Sequence, residues 1–127
     1  MNSAKTILIV DDEEDLRSVT AEALKRDGFN VVTAIDGEVG LSEALKYKPD
    51  LILLDVVMPV MDGLEMLKKL REDSWGKSAN VIILSAHDDI KSVGNAYDNE
   101  ISNYIIKADS SLGEIVAKVH EVLKTAS

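Results

Sequence analysis

The sequence predicts an α/β fold, a doubly wound five-stranded parallel sheet with five helices. Two observations lead there. Ile7–Val10, Leu51–Leu54 and Val81–Leu84 are continuous apolar runs without polar alternation, the pattern of strands buried on both faces. Between them lie segments whose apolar residues recur at helical spacing, joined by short connections. Strands that alternate with helices in this way form parallel sheets with helices on both faces.

The first strand, Thr6–Val10, runs straight into acid: Asp11-Asp12-Glu13-Glu14-Asp15. Leu16, Val19, Ala23 and Leu24 then give the inward face of a helix closed by Gly28. Val31–Ala34 is a short strand. Asp36-Gly37 turns the chain into a second helix with Leu41, Ala44 and Leu45 inward, ended before Pro49. Leu51–Leu54 is the central strand and stops at Asp55. Pro59 keeps the chain out of regular structure, and Asp62 suits the N-cap of a helix beginning near Gly63 with Met66, Leu67 and Leu70 inward. Ser74–Ser78 reads as an exposed loop in which Trp75 is a partly exposed surface residue. Val81–Leu84 is the fourth strand, ending at Ser85. Ile90, Val93 and Tyr97 mark a shorter helix that Gly94 weakens. Tyr104–Ile106 is the fifth strand and ends at Lys107. The last helix turns Leu112, Ile115, Val116, Val119 and Leu123 inward, with Ser110 or Ser111 as its cap.

Composition narrows the function classes. Residues 1–127 suffice for one domain with a real core, and no repeat, linker or second domain is expected. Acidic residues outnumber basic ones 23 to 14, a net charge of −9 that disfavours direct nucleic-acid binding. The absence of cysteine excludes disulfides, thiolate catalysis and zinc–sulfur sites. Met1-Asn2-Ser3-Ala4-Lys5 lacks the apolar core of a signal peptide, and no apolar run approaches the roughly 18 residues of a membrane span. A soluble, cytoplasmic protein is expected, with no membrane partner.

The strand ends carry the chemistry. Asp11 and Asp12 follow the first strand, Asp55 the third, Ser85 the fourth and Lys107 the fifth. In an open parallel sheet the carboxyl ends of the strands form the ligand crevice. Three carboxylates converging there repel one another unless a cation joins them, and an all-oxygen set with few protein groups suits Mg²⁺ shared with a phosphate. A lysine and a serine hydroxyl complete the parts for moving a phosphoryl group onto a carboxylate, and Asp55, alone on the central strand, is the natural nucleophile. Taken singly, each residue has an ordinary explanation. Asp11 and Asp12 could favour a helix's positive end, Ser85 could be a cap, Lys107 a solvated charge and Tyr104 core. It is their coincidence at successive strand ends that points to a site. His87 and His120 read as surface residues, and Met58, Met61 and Met66 as packing.

Over essentially its whole length the chain resembles the receiver domains of two-component response regulators, of the single-domain chemotaxis-regulator type. The resemblance rests on Val10-Asp11-Asp12, on Leu54–Pro59 through Met61-Asp62-Gly63, on Ser85-Ala86, and on Tyr104 three residues before Lys107. It implies a flavodoxin-like sheet of strand order 2-1-3-4-5 and a phosphoryl group accepted from a histidine kinase or histidine phosphotransfer protein. It further implies Asp55 as phospho-acceptor, and Asp12, Asp55 and the Val57 carbonyl as direct Mg²⁺ ligands with Asp11 acting mainly through water. Ser85 and Lys107 would be phosphoryl-binding switch residues, and Tyr104 the aromatic that turns inward on activation. The signal would pass to a downstream protein through the face of the fourth helix, fifth strand and fifth helix, with no output domain after Ser127 and no enzyme turnover as the purpose. Two positions depart from the pattern: Ala108 stands where proline commonly follows the lysine, and Asp98-Asn99-Glu100-Ile101 replaces a usual glycine. A trans Lys107–Ala108 peptide is expected, since a non-proline cis bond costs ~2.5–4 kcal/mol.

Two rival readings fail on one or a few residues each. An aspartyl-phosphate hydrolase needs a second acid two residues after its nucleophile, where this chain has Val57. A flavin carrier of similar architecture needs a first loop that welcomes phosphate, which Asp11-Asp12-Glu13 would repel.

Overall fold

The computed structural model describes residues 4–56, 58–85, 103–106 and 111–124, and of Ser85 and 103–106 it describes the main chain. The expected helix around Ile90–Tyr97 lies outside those residues, as do His87, Val57, Lys107 and Ala108. Five strands form one parallel sheet: β1 (Thr6–Val10), β2 (Asn30–Ala34), β3 (Leu51–Asp55), β4 (Val81–Ser85) and β5 (Asn103–Ile106). Their order is β2-β1-β3-β4-β5, as the resemblance implied. The described α-helices are α1 (Glu14–Arg26), α2 (Gly37–Tyr47), α3 (Gly63–Glu72) and the C-terminal α4 (Leu112–Leu123). None of them is long and apolar enough to cross a membrane.

The strand runs lack alternation because both sheet faces are covered. Leu8, Val10, Ile52 and Leu54 pack against α2 and α3, whereas Ile7, Ile9, Leu51 and Leu53 pack against α1 and α4. Every residue of β3 is buried. At about 25 cal/mol per Å² of apolar area removed from water, such strands dominate the folding free energy.

Local signals set the helix starts. Asp36 accepts from the Val39 N–H and Asp62 from the Glu65 N–H, at 2.8 and 2.9 Å. Ser111 and Glu114 close a reciprocal capping box, so Ser111 and not Ser110 caps the last helix. Gly40 lets α2 lie directly on the sheet, because a Cβ there would run into Val10 and Met66.

Four expectations need correction. α1 buries Thr20, Ala21 and Leu24, while Val19 is 50% exposed. Adjacent helix positions differ by about 100°, and the smaller Thr20 and Ala21 allow the closer approach to the sheet. In α2 the buried face is Gly37, Gly40 and Ala44, and Leu45 turns outward for the same reason. Ser74–Ser78 is not a plain exposed loop: Gly76–Ser78 is a 3-10 turn, and Trp75, partly exposed as expected, packs its buried side against the α2/α3 core. Arg71 holds the Gly76 and Ala79 carbonyls, and the Asp73 carboxylate accepts from the Trp75 and Gly76 N–H groups.

His120 is the fourth correction. It is 5% exposed, its Nε2 is 2.7 Å from Asp27 Oδ2, and its ring lies 5.1 Å from that of Phe29. An ionised carboxylate only accepts, so Nε2–H donates. Asp27 caps the C-terminus of α1, so the pair clasps α4 to α1. His120→Ala leaves a cavity and returns the Asp27 carboxylate, whose side chain is 38% exposed, to water. It should cost about 2–3 kcal/mol, read in urea as a lower midpoint at unchanged slope.

Candidate functional site: a carboxylate cluster at the carboxyl edge of the sheet

Strand register brings the acids together. Val10 pairs with Leu54 across β1 and β3, so the residues that follow, Asp11 and Asp55, stand side by side where β1 ends. Asp55 is level with Leu84 of β4, and Ser85 with Ile106 of β5. The strand-end residues of four strands thus line one edge. Asp11, Asp12 and Asp55 each offer a carboxylate oxygen, all within 4.8 Å of one another. Asp11 and Asp55 are buried, at 1% and 6% exposure, and Asp12 is exposed, so the cluster opens to solvent on one side.

Backbone hydrogen bonds hold the two buried acids, Asp11 and Asp55, in place. The Asp11 N–H donates to the Ala34 carbonyl at 3.1 Å, its Oδ1 accepts from the Glu13 N–H at 2.9 Å, and its carbonyl accepts from the Arg17 guanidinium at 2.8 Å. Beyond Asp55, the Val56 N–H donates to Leu84 and the Val56 carbonyl accepts from Gly63. This ties the end of β3 both to β4 and to the start of α3. Gly63 stands against the Asp55 carbonyl so closely that a Cβ would collide with it.

The loop between β3 and α3 carries local strain. Val60 has φ 67° and is exposed, a left-handed conformation that is an outlier for a β-branched side chain. Val60→Gly relieves that strain at the expense of unfolded-chain entropy. A gain of about 1 kcal/mol is expected, visible as a raised denaturation midpoint.

The donor set fits a hard divalent cation. It is all oxygen, carries up to three negative charges and leaves one side open for water and a phosphate, as Mg²⁺ requires. Sequence reasoning placed Asp11, Asp12 and Asp55 together, and the structure does so. Ser85 ends β4 at the expected edge, and Tyr104 lies on neighbouring β5, level with Ile83 and two residues before the end of that strand. Val57 and Lys107 lie outside the described residues. What the sequence did not reveal is Arg17, whose contact is to a backbone carbonyl six residues away. An arginine one turn into a helix is too common to single out.

Comparisons with known proteins agree with this architecture. The family profile for the response regulator receiver domain matches residues 7–120. The alkaline phosphatase synthesis transcriptional regulatory protein PhoP of Bacillus subtilis is 44% identical over 85 residues, 67% of this chain and 35% of that protein. The probable transcriptional regulatory protein TcrX of Mycobacterium tuberculosis is 34% identical over 94% of this chain and 50% of its own length. The chain thus spans about a third to a half of these relatives. Among solved structures, chemotaxis protein CheY4 of Vibrio cholerae superposes with a TM-score of 0.86 at 27% identity, over 94% of this chain and 99% of that one. The receiver domain of AraT from Geobacillus stearothermophilus gives 0.80 at 31%, over 96% and 97%. Since the profile match takes in most of the sequence, the chain belongs to the response regulator receiver domains.

Proposed function

We propose that this receiver domain accepts a phosphoryl group on Asp55 from a phosphohistidine donor, a histidine kinase or a histidine phosphotransfer protein. The observation that supports this most is the carboxylate cluster, with Asp55 alone on the central strand beside an acidic pair. A carboxylate oxygen of Asp55 attacks phosphorus, the P–N bond of the donor breaks, and the imidazole leaves with the bonding pair and takes up a proton. Asp12 and Asp55, with the Val57 carbonyl, would hold Mg²⁺ directly, Asp11 would contribute mainly through water, and the bound ion would neutralise charge on the phosphoryl oxygens. The Ser85 hydroxyl donates to one phosphoryl oxygen and the Lys107 ammonium pairs with another.

The acyl phosphate then serves as a signal. Ser85 follows the phosphoryl group, Tyr104 turns inward behind it, and the altered surface around β5 and the C-terminal helix is read by a downstream protein. The site of action is the cytoplasm, where phosphohistidine donors are made. Turnover is not the purpose, although the domain's own groups assist both gain and loss of phosphate.

Acetyl phosphate with intact-mass measurement tests the reading. An adduct of one phosphoryl group is expected with Mg²⁺ present and none in excess EDTA. An adduct that forms equally well in EDTA would overturn the role given to the acidic pair.

A further inference from the structure

A polar groove of about 310 Å³ is lined by Arg17, Ser18, Ala21, Glu22 and Lys25 of α1 and by Thr33 of β2; one Arg17 N–H donates to the Asp11 carbonyl, and the guanidinium keeps further donors for a ligand in the groove. It runs beside the edge of the sheet, for among the described residues β2 is the terminal strand and has only β1 as neighbour. The bonds to the β1 side fix which groups of β2 face away. The Asn30 N–H donates to the Lys5 carbonyl, and the Ala34 carbonyl accepts from the Asp11 N–H. Alternate residues of a strand serve the same neighbour. Asn30, Val32 and Ala34 therefore serve β1, and the N–H and C=O groups of Val31 and Thr33 point outward over the edge.

Among the described residues no strand pairs with that edge. All five residues pair with β1 in unbroken register, and Asn30-Val31-Val32-Thr33-Ala34 carries no lysine, proline or bulge of the kind that blunts exposed edges. The side chains beside it supply charge: two cations to one acid, in a protein of net charge −9. Attraction in the groove acts at contact distance, while the remaining negative surface is screened beyond roughly 8 Å at physiological salt.

Spacing ties the two features together. Arg17 and Lys25 are eight residues apart on α1, about 12 Å along the axis. Four residues of an extended chain span about 13 Å, and residues i and i+4 of a strand share a face. We propose that the β2 edge and this groove take an extended acidic segment of a partner protein, added to the sheet beside β2. Its main chain pairs with Val31 and Thr33, and two carboxylates four residues apart reach Arg17 and Lys25. The residue between them is small and uncharged, because Glu22 faces it. Main-chain bonds give such an addition affinity, and the alternate side chains give it specificity.

The peptide acetyl-Thr-Glu-Val-Ser-Val-Glu-Thr-amide, titrated into isotope-labelled protein and followed by amide NMR shifts, is the direct probe. Saturable shifts at Val31 and Thr33 are expected. Lys25→Glu, at an exposed position, should weaken binding by roughly tenfold or more. Thr33→Pro removes an outward N–H without touching the ladder to β1, and should abolish it. Two further peptides, N-methylated at alternate residues, separate edge pairing from mere charge: one should keep its affinity and the other lose it. Absence of saturable shifts at millimolar peptide would overturn the proposal. So would equal binding by both methylated peptides and the parent, or Lys25→Glu protein that binds as tightly as the original.

Discussion

Asp55→Asn protein should take up no phosphoryl group from acetyl phosphate, while the unaltered protein gains one. Asparagine has the shape of aspartate, and the position is 6% exposed at the end of a fully buried strand, so packing is kept and only the charge is lost. An amide oxygen is a poor nucleophile towards phosphorus and cannot yield an acyl phosphate. The same change removes one of three carboxylates within 4.8 Å of one another, and Mg²⁺ affinity should fall by about tenfold or more, some 1.4 kcal/mol. Asp12→Asn separates the two effects. It should weaken Mg²⁺ to a similar degree yet leave a slower adduct, because the acceptor remains. Intact mass for the adduct and calorimetry for the metal check both. An adduct that survives in Asp55→Asn protein would move the acceptor elsewhere.

The second large effect is mechanical. Gly63→Ala should cost about 1–3 kcal/mol and, with it, most of the phosphoryl uptake. The added methyl would meet the Asp55 carbonyl and the Val56 Cα, which are backbone atoms and cannot swing aside. Either α3 lifts from the end of β3 or Asp55 shifts relative to Asp11 and Asp12. Gly113→Ala is the control. There the nearest heavy atom to a new Cβ is the Ser111 hydroxyl at 3.8 Å, and alanine in the first turn of α4 should stabilise by about 0.5–1 kcal/mol. Urea denaturation separates the two variants by sign. If both move in the same direction, the close approach at Gly63 is not the cause.

The strands and the acids were legible in the sequence for one shared reason. A strand buried on both faces writes itself as an uninterrupted apolar run, and whatever polar residue ends the run marks the sheet edge. Leu51–Leu54 followed by Asp55 carries both statements. Helix faces were harder to read. Val19 and Leu45 are apolar and at helical spacing, yet both turn outward, because Ala21, Gly40 and Ala44 permit a closer fit to the sheet. Size at the contact, not hydropathy, chose the face. His120 and Trp75 escaped for a different reason. Their partners, Asp27 and Phe29 for the one and the α2/α3 core for the other, come from distant parts of the chain or from a turn pinned by Arg71 and Asp73. No local pattern encodes such pairings.

The register of β1 against β3 has a thermodynamic consequence. The acidic pair Asp11-Asp12 follows β1 and Asp55 ends β3, strands brought together by the sheet ladder, so in the unfolded chain Asp12 and Asp55 are 43 residues apart and form no chelate. A divalent cation held by them would bind the folded state almost exclusively and act as a reversible cross-link between the two central strands. At about 100 times its dissociation constant, such a ligand raises unfolding free energy by about 2.7 kcal/mol, a sizeable fraction of the roughly 5–15 kcal/mol that holds a domain together. Cellular Mg²⁺ would then set how firmly β1 and β3 stay paired even in the unphosphorylated protein.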